Sequence, residues 1–374
     1  MRPTRRLSIK EVNRGHPIGI VDPKEFITEP GAEISAQEVV CDPKFSLYCL
    51  DPENDSVLFV ECDDPAAVDR APFYYQAQRE NAIGLVTMPV DTFHTVGNHI
   101  AEPSKGLILI HSVGRCGSTL LSKVLAAQPS VHSLSEPDDL SQMVFLRGDG
   151  ASDEWLRQML VSSVRWRCKP RVGAPAEHVA IKTRSEVLVL GDLIGSSFPR
   201  AKHFFLYRDA ISWMGSIVRG WSPERDVYDV EKNLKMEESW ARTLPLVGQL
   251  RSSGTLKNAV QIRLLAWVSC VEEFLKLAEL GIPTQAARFE DLTRSTRPIL
   301  EEFFAFCKID AVDWTAIDAV MERDSQAGTI YDREKRREVS RKLTDDQVQD
   351  IRDLIASRPK LVRPDVIVPG TILP

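Results

Sequence analysis

Short apolar runs separated by turn-forming residues fill the first hundred positions. FSLYCL (Phe45 to Leu50), SVLFVEC (Ser56 to Cys62) and IGLVTM (Ile83 to Met88) alternate with clusters of Asp, Pro, Glu and Asn. Runs this short, bounded by turn residues, predict strands. They define a small α+β or β-rich N-terminal module over residues 1–103, ending near Glu102-Pro103-Ser104-Lys105-Gly106, whose role the pattern does not specify. From Gly106 the rhythm changes to strand then helix, repeatedly. LILIHS (Leu107 to Ser112) reads as a fully apolar strand, and the helical spacing of Thr119 to Ala127 stops at Pro129. HVAIKT (His178 to Thr183) is followed by a helix through about Ser197, and HFFLYR (His203 to Arg208) by a helix from Asp209. Long amphipathic segments span Val230–Leu250 and Lys257–Leu280; TQAARF (Thr284 to Phe289) and a helix containing ILEEFFAFC come next. Alternation of this kind predicts an α/β fold over residues 104–374, a parallel sheet flanked by helices.

Composition narrows the class without changing this picture. The 374 residues suggest about two domains. The hydrophobic fraction of 43% and charged fraction of 27% are those of an ordinary globular chain. The net charge of −6 argues against non-specific binding to nucleic acid or to an anionic membrane surface. Seven scattered cysteines with no CxxC pair read as reduced, mostly buried thiols rather than a disulfide framework or a metal site. The basic N-terminus lacks the apolar run of a signal peptide, and no stretch approaches the ~20 apolar residues of a membrane span. A soluble cytoplasmic protein, with no membrane insertion and no nucleic-acid partner, is the expectation; a homodimer is compatible with it.

The most informative segment is Leu107 to Leu125, LILIHSVGRCGSTLLSKVL. An apolar strand runs through Gly114-Arg115-Cys116-Gly117-Ser118-Thr119 directly into a helix. Glycines allow close backbone approach and positive φ. The first N–H groups of the helix lie unpaired at its positive dipole end and suit an anion. Ser118 and Thr119 add hydroxyl donors, and Arg115 adds a guanidinium fork for phosphate oxygens. The nucleoside-triphosphatase loop GxxxxGK[ST] is not matched, because Ser118 stands where that motif has Lys.

Several motifs in order resemble the superfamily of sulfotransferases dependent on 3′-phosphoadenosine 5′-phosphosulfate (PAPS). The likeness is closest to the tyrosylprotein sulfotransferases and related bacterial enzymes, whose loop reads PRSGT or PRSGST. AAQPSVHSLSEPDDL resembles the family segment carrying an acidic residue near the acceptor, which makes Glu136 the implied general base and His132 its runner-up. In VAIKTRSEVLVLGDLIGSSFPRAKHFFLYRDAISWMGSIVRG, Lys182 matches the Lys that reaches the sulfuryl group. Arg208 and Ser216 stand eight positions apart, the family spacing for gripping the nucleotide's 3′-phosphate. ARFEDLTRSTRPILEEFFAFCKI resembles the RYEDLxxxP segment, and Ser325 matches a C-terminal loop contact. The chain departs from the pattern at Cys116, where relatives commonly have Ser, and at Phe289, where many have Tyr. The resemblance covers about Gly106 to Ile309 and leaves the N-terminal hundred residues outside it.

What the resemblance implies is in-line sulfuryl transfer from PAPS to a hydroxyl or amine, releasing 3′-phosphoadenosine 5′-phosphate without a metal. Arg115, with Lys182, would stabilise charge on the leaving phosphate, and a general base would take the acceptor's proton. Arg115, Cys116, Gly117, Ser118, Thr119, Arg208, Ser216 and Ser325 would bind the nucleotide; Glu136, Lys182 and Arg115 would be catalytic. The acceptor is not legible. Two other readings fit the same residues: a phosphate-binding-loop (P-loop) kinase-like phosphotransferase, and a non-catalytic nucleotide-binding regulator.

Overall fold

Two five-stranded sheets make the frame of the molecule. The computed structural model describes residues 3–13, 19–169, 176–221, 225–236, 243, 244, 246, 247, 249, 256–323 and 341–374. The first sheet is antiparallel, in the order β2-β1-β5-β4-β3. Its strands are β1 (Arg5–Val12), β2 (Phe26–Glu33), β3 (Phe45–Asp51), β4 (Ser56–Cys62) and β5 (Ala82–Pro89). The second is wholly parallel, in the order β10-β9-β6-β8-β7. It consists of β6 (Gly106–Ser112), β7 (Val131–Ser135), β8 (His178–Lys182), β9 (Lys202–Tyr207) and β10 (Thr284–Arg288).

The expected α/β fold with a β-rich N-terminal part is therefore present, and the central strands explain why it was readable. β6, β8 and β9 are buried along almost their whole length because helices cover both faces of the sheet. The helices Ser118–Ala126, Ala210–Val218 and Ala259–Glu279 join one core with β6 and β9. The helix expected over 230–250 is described as Val230–Met236, and most of the remaining span lies outside the described residues. Past β10 the C-terminal tail returns: the Ala286 N–H donates to Gly370 O and the Ile372 N–H to Ala286 O, and Tyr207 Oη and Thr371 Oγ1 are 2.9 Å apart.

The antiparallel sheet is not an appendage. One of its faces, with Val57, Phe59, Val86 and Met88, shares a core with Leu107, Leu109, Val179 and Ile181 of the parallel sheet. Phe93 and Trp166 stack with ring centroids 5.7 Å apart, and the Trp166 indole N–H donates to Phe93 O at 3.0 Å. The other face packs Leu58, Val60 and Leu85 with Tyr74, Tyr75 and Val68 from the helices Tyr74–Glu80 and Pro65–Asp69. Behind it a buried ion pair joins Arg79 to Glu25 at 2.6 Å, and the Tyr48 hydroxyl donates to the same carboxylate. Among the described residues no helix is long and apolar enough to cross a membrane.

Candidate active site

The segment between β6 and the helix Ser118–Ala126 has an unusual backbone. Gly114, Arg115 and Gly117 lie at φ 74, 56 and 86. Left-handed residues interspersed in a turn gather successive N–H groups into an anion-binding concavity. For Arg115, a non-glycine residue, that conformation costs on the order of 1 kcal/mol. The loop is held from beneath. The Trp213 indole N–H donates to Val113 O at 3.1 Å and to Gly114 O at 3.0 Å. The fully buried Cys116 thiol donates to Leu206 O of β9 at 3.2 Å, and burial pushes its pKa up to about 11. What Cys116 can offer a ligand is thus its backbone rather than its sulfur. Ser112 Oγ accepts from the Gly114 N–H and donates to Ser118 Oγ. At Gly117 an added Cβ would stand 3.4 Å from the Phe289 ring, so the loop's far side is packed as well.

The neighbouring strands end in charged residues at the same edge. Lys182 closes β8, in register with Ile110 of β6 and Ser135 of β7. Glu136 follows β7 directly; its N–H donates to Lys182 O at 2.6 Å, and its carboxylate pairs with the Lys182 ammonium. Both side chains are nearly buried, at 5% exposure for Lys182 and 13% for Glu136. On the other flank the Val113 N–H donates to Leu206 O, which brings Arg208 beside the loop. Arg208 Nε donates to Ser212 Oγ at 3.0 Å and lies 3.5 Å from Glu290 Oε1, with the guanidinium over the Phe289 ring. Burial, only partly offset by Glu290, lowers the Arg208 pKa. Among the described residues its side-chain hydrogen bond leaves from Nε, so the outer nitrogens of the fork remain for an anion.

The sheet order β7-β8-β6-β9 sets Glu136, Lys182, the Gly114–Thr119 loop and Arg208 in a row. Strands lie about 4.8 Å apart, so the row spans about 14 Å. The crevice at the carboxyl ends of parallel strands is where open α/β sheets place ligands.

Not every residue anticipated from sequence falls in this row. His132 sits three residues back along β7, about 10 Å from the strand end, where its Nε2 lies 3.2 Å from Asp69 Oδ2. Ser216 lies one turn, about 6 Å, beyond the Ser212 that Arg208 engages. Ser325 is outside the described residues. Conversely, sequence reasoning missed Ser212 and a second charged group. Arg184 lies 2.8 Å from Asp138 Oδ1 and 3.9 Å from Glu136 Oε2, and stands over the Tyr75 ring at 4.3 Å. Burial would lower the Arg184 pKa, but Asp138, Tyr75 and Glu136 outweigh it and raise it. Complete burial pushes the Asp138 carboxyl up to about 7 against the pull of Arg184. The N-terminal part reaches this group too: the Val21 N–H donates to Asp138 Oδ2, and Arg184 donates to Gly19 O. The available signal was the two-residue offset, Lys182 to Arg184 and Glu136 to Asp138.

No family model and no curated protein matches the chain. Solved structures do resemble it. A sulfotransferase from Mycobacterium avium is 13% identical over 89% of this chain and 90% of its own, with a TM-score of 0.42. A sulfotransferase from Alicyclobacillus acidocaldarius is 14% identical over 71% of this chain and 98% of its own, TM-score 0.40. The sulfotransferase domain of the Synechococcus PCC 7002 olefin synthase is 17% identical over 67% and 94%, TM-score 0.35. These TM-scores are all below 0.5, and the function rests on the site's own geometry.

Proposed function

We propose that the protein transfers a sulfuryl group from PAPS to a hydroxyl or amine acceptor. The observation that carries this reading is the row itself. A carboxylate, a buried ammonium, an anion-binding loop and a second, incompletely paired cation stand in that order along one sheet edge. The loop would hold the 5′-phosphosulfate at the helix N-terminus. Arg208, with Ser212 and Ser216 on the helix after β9, would take the 3′-phosphate that distinguishes PAPS from other adenine nucleotides. Lys182, ending the strand beside β6, would bring its charge next to the loop for the bridging oxygen of the leaving phosphate. Glu136 would accept the acceptor's proton as the new oxygen–sulfur or nitrogen–sulfur bond forms. The sulfur–oxygen bond to the phosphate breaks in the same step, releasing 3′-phosphoadenosine 5′-phosphate. His132 is engaged by Asp69 and set back from the edge, which favours Glu136 as the base.

Calorimetry tests the reading. The protein should bind 3′-phosphoadenosine 5′-phosphate without divalent metal, and at least about tenfold more tightly than 5′-AMP. Arg208→Ala should remove that preference and leave 5′-AMP affinity little changed. Preference for ATP with Mg²⁺ would instead support phosphoryl transfer, and nucleotide binding without turnover across a broad acceptor panel would support a regulator.

A further inference from the structure

A cavity of about 810 Å³ lies away from this edge, against the antiparallel sheet. Its floor is one sheet face. Ser56 and Leu58 of β4, Leu85 and Thr87 of β5, and Leu7 of β1 line it, each alternate along its strand. Toward Cys62 this face is covered by the helices Pro65–Asp69 and Tyr74–Glu80; toward Ser56, among the described residues, neither of them lies on it. Residues Ile20 to Lys24 form one wall, and Phe145 and Leu146 of the helix Asp139–Gly148 another. The volume is that of a site for a small organic molecule.

The acidic groups of the lining gather at the turn between β3 and β4. Ser56 is only 7% exposed, and among the described residues its buried hydroxyl has no hydrogen-bond partner. A buried hydroxyl without a partner is unfavourable, and a ligand is one way to satisfy it. Other polar side chains of the lining are already engaged: Gln142 by the Leu50 backbone, Asn54 by Asp51. Among the described lining residues the carboxylates of Asp22, Asp51, Glu53 and Asp55 outnumber the ammonium of Lys24, which is itself paired with Glu53 at 2.8 Å. Farther along the same face, toward Cys62, the lining is Leu58, Leu85 and Leu7, with Thr87 in register with Leu58.

We propose that this cavity binds a small amphipathic amine, its ammonium at Ser56 within the acidic rim and its apolar body along Leu58 and Leu85. An anion is disfavoured by the rim, and a fully polar cation would leave the apolar floor wet. The segment whose Gly19 and Val21 backbone meets Arg184 and Asp138 also lines the cavity, through Ile20 and Val21.

Calorimetric titration of the full chain with 4-phenylbutylammonium tests this, with 4-phenyl-1-butanol and 5-phenylpentanoate as neutral and anionic counterparts. The ammonium should bind about tenfold more tightly than the alcohol, and the carboxylate most weakly. Ser56→Val, which keeps the shape and removes the hydroxyl, should weaken the ammonium about fivefold. Leu85→Trp should abolish binding by filling the floor; should that variant not fold by circular dichroism, Ser56→Val and Asp55→Asn decide. Equal affinity for the three probes, no binding of the ammonium at millimolar concentration, or unchanged affinity in the folded variants would overturn the proposal.

Discussion

Glu136 is held at φ 63 immediately before Pro137, a backbone state that a non-glycine residue adopts only where its surroundings impose it. Its N–H is tied to Lys182 O and its carboxylate to the Lys182 ammonium, so both ends of the residue are fixed by the neighbouring strand. A base held in this way is already aimed when the acceptor arrives. Glu136→Gln should lower PAPS turnover with phenolic or alcohol acceptors by about 100-fold or more. Affinity for 3′-phosphoadenosine 5′-phosphate should hold or improve, since a negative charge is removed from beside the anion. Product release measured alongside calorimetry separates the two effects; a parallel loss of both would mean that Glu136 is structural. His132 makes no such use of its position, because it sits back along β7 and is engaged by Asp69.

The loop and its helix depend on backbone geometry as much as on side chains. Gly117 combines φ 86 with the Phe289 ring at van der Waals distance from any added Cβ. Gly117→Ala should therefore destabilise by about 1–2 kcal/mol in urea denaturation and weaken nucleotide binding. Gly215, inside the helix Ala210–Val218 with open space around it, should do the opposite: Gly215→Ala should stabilise by about 0.5–1 kcal/mol. These contrasts also mark what could be read from the chain. Strands β3, β4, β6, β8 and β9 are buried along most of their length and β5 through its middle, so their apolar runs were legible. β1 and β2 were not: RRLSIKEV and FITEPGAE are largely solvated, and β2 is an edge strand containing Pro30 and Gly31. β7, five residues with His132 and two serines, was too short and too polar to announce itself. Within the site, the loop, Lys182 and Arg208 were visible as ordered motifs. Arg184 and Asp138 were marked only by their two-residue offset from Lys182 and Glu136, and Tyr75 by nothing local, since its meeting with Arg184 depends on how the N-terminal part packs on the parallel sheet.

Across the whole molecule, one buried polar chain runs between the central strands. Thr183 donates to Ile110 O, and His111 bridges from Thr183 Oγ1 at 3.2 Å to His203 Nδ1 at 3.1 Å. Burial lowers both histidine pKa values, that of His203 to about 4. Between that value and the unfolded value near 6.5, the unfolded chain binds protons that the folded one excludes, so this pair's contribution to stability falls as pH falls through that window. Asp138, raised to about 7, acts in the opposite direction. The difference between wild type and His203→Asn isolates the histidine: between pH 7 and pH 5 the wild type should lose about 2 kcal/mol more than the variant. Equal acid slopes in thermal or urea denaturation would count against it. At the same scale, residues 104–374 alone should be insoluble or molten on expression, because Leu107, Leu109, Val179, Ile181 and Trp166 would lose the apolar face that covers them.

That shared core also has a consequence for synthesis. The chain emerges from the ribosome N-terminus first, so Phe59, Val86, Met88 and Phe93 exist well before Trp166, against which Phe59 and Phe93 pack. At roughly 5–20 residues per second, the interval from β5 to Trp166 is on the order of ten seconds. Through that interval the nascent antiparallel sheet presents an apolar face whose covering has not yet been made, and it is then most exposed to aggregation.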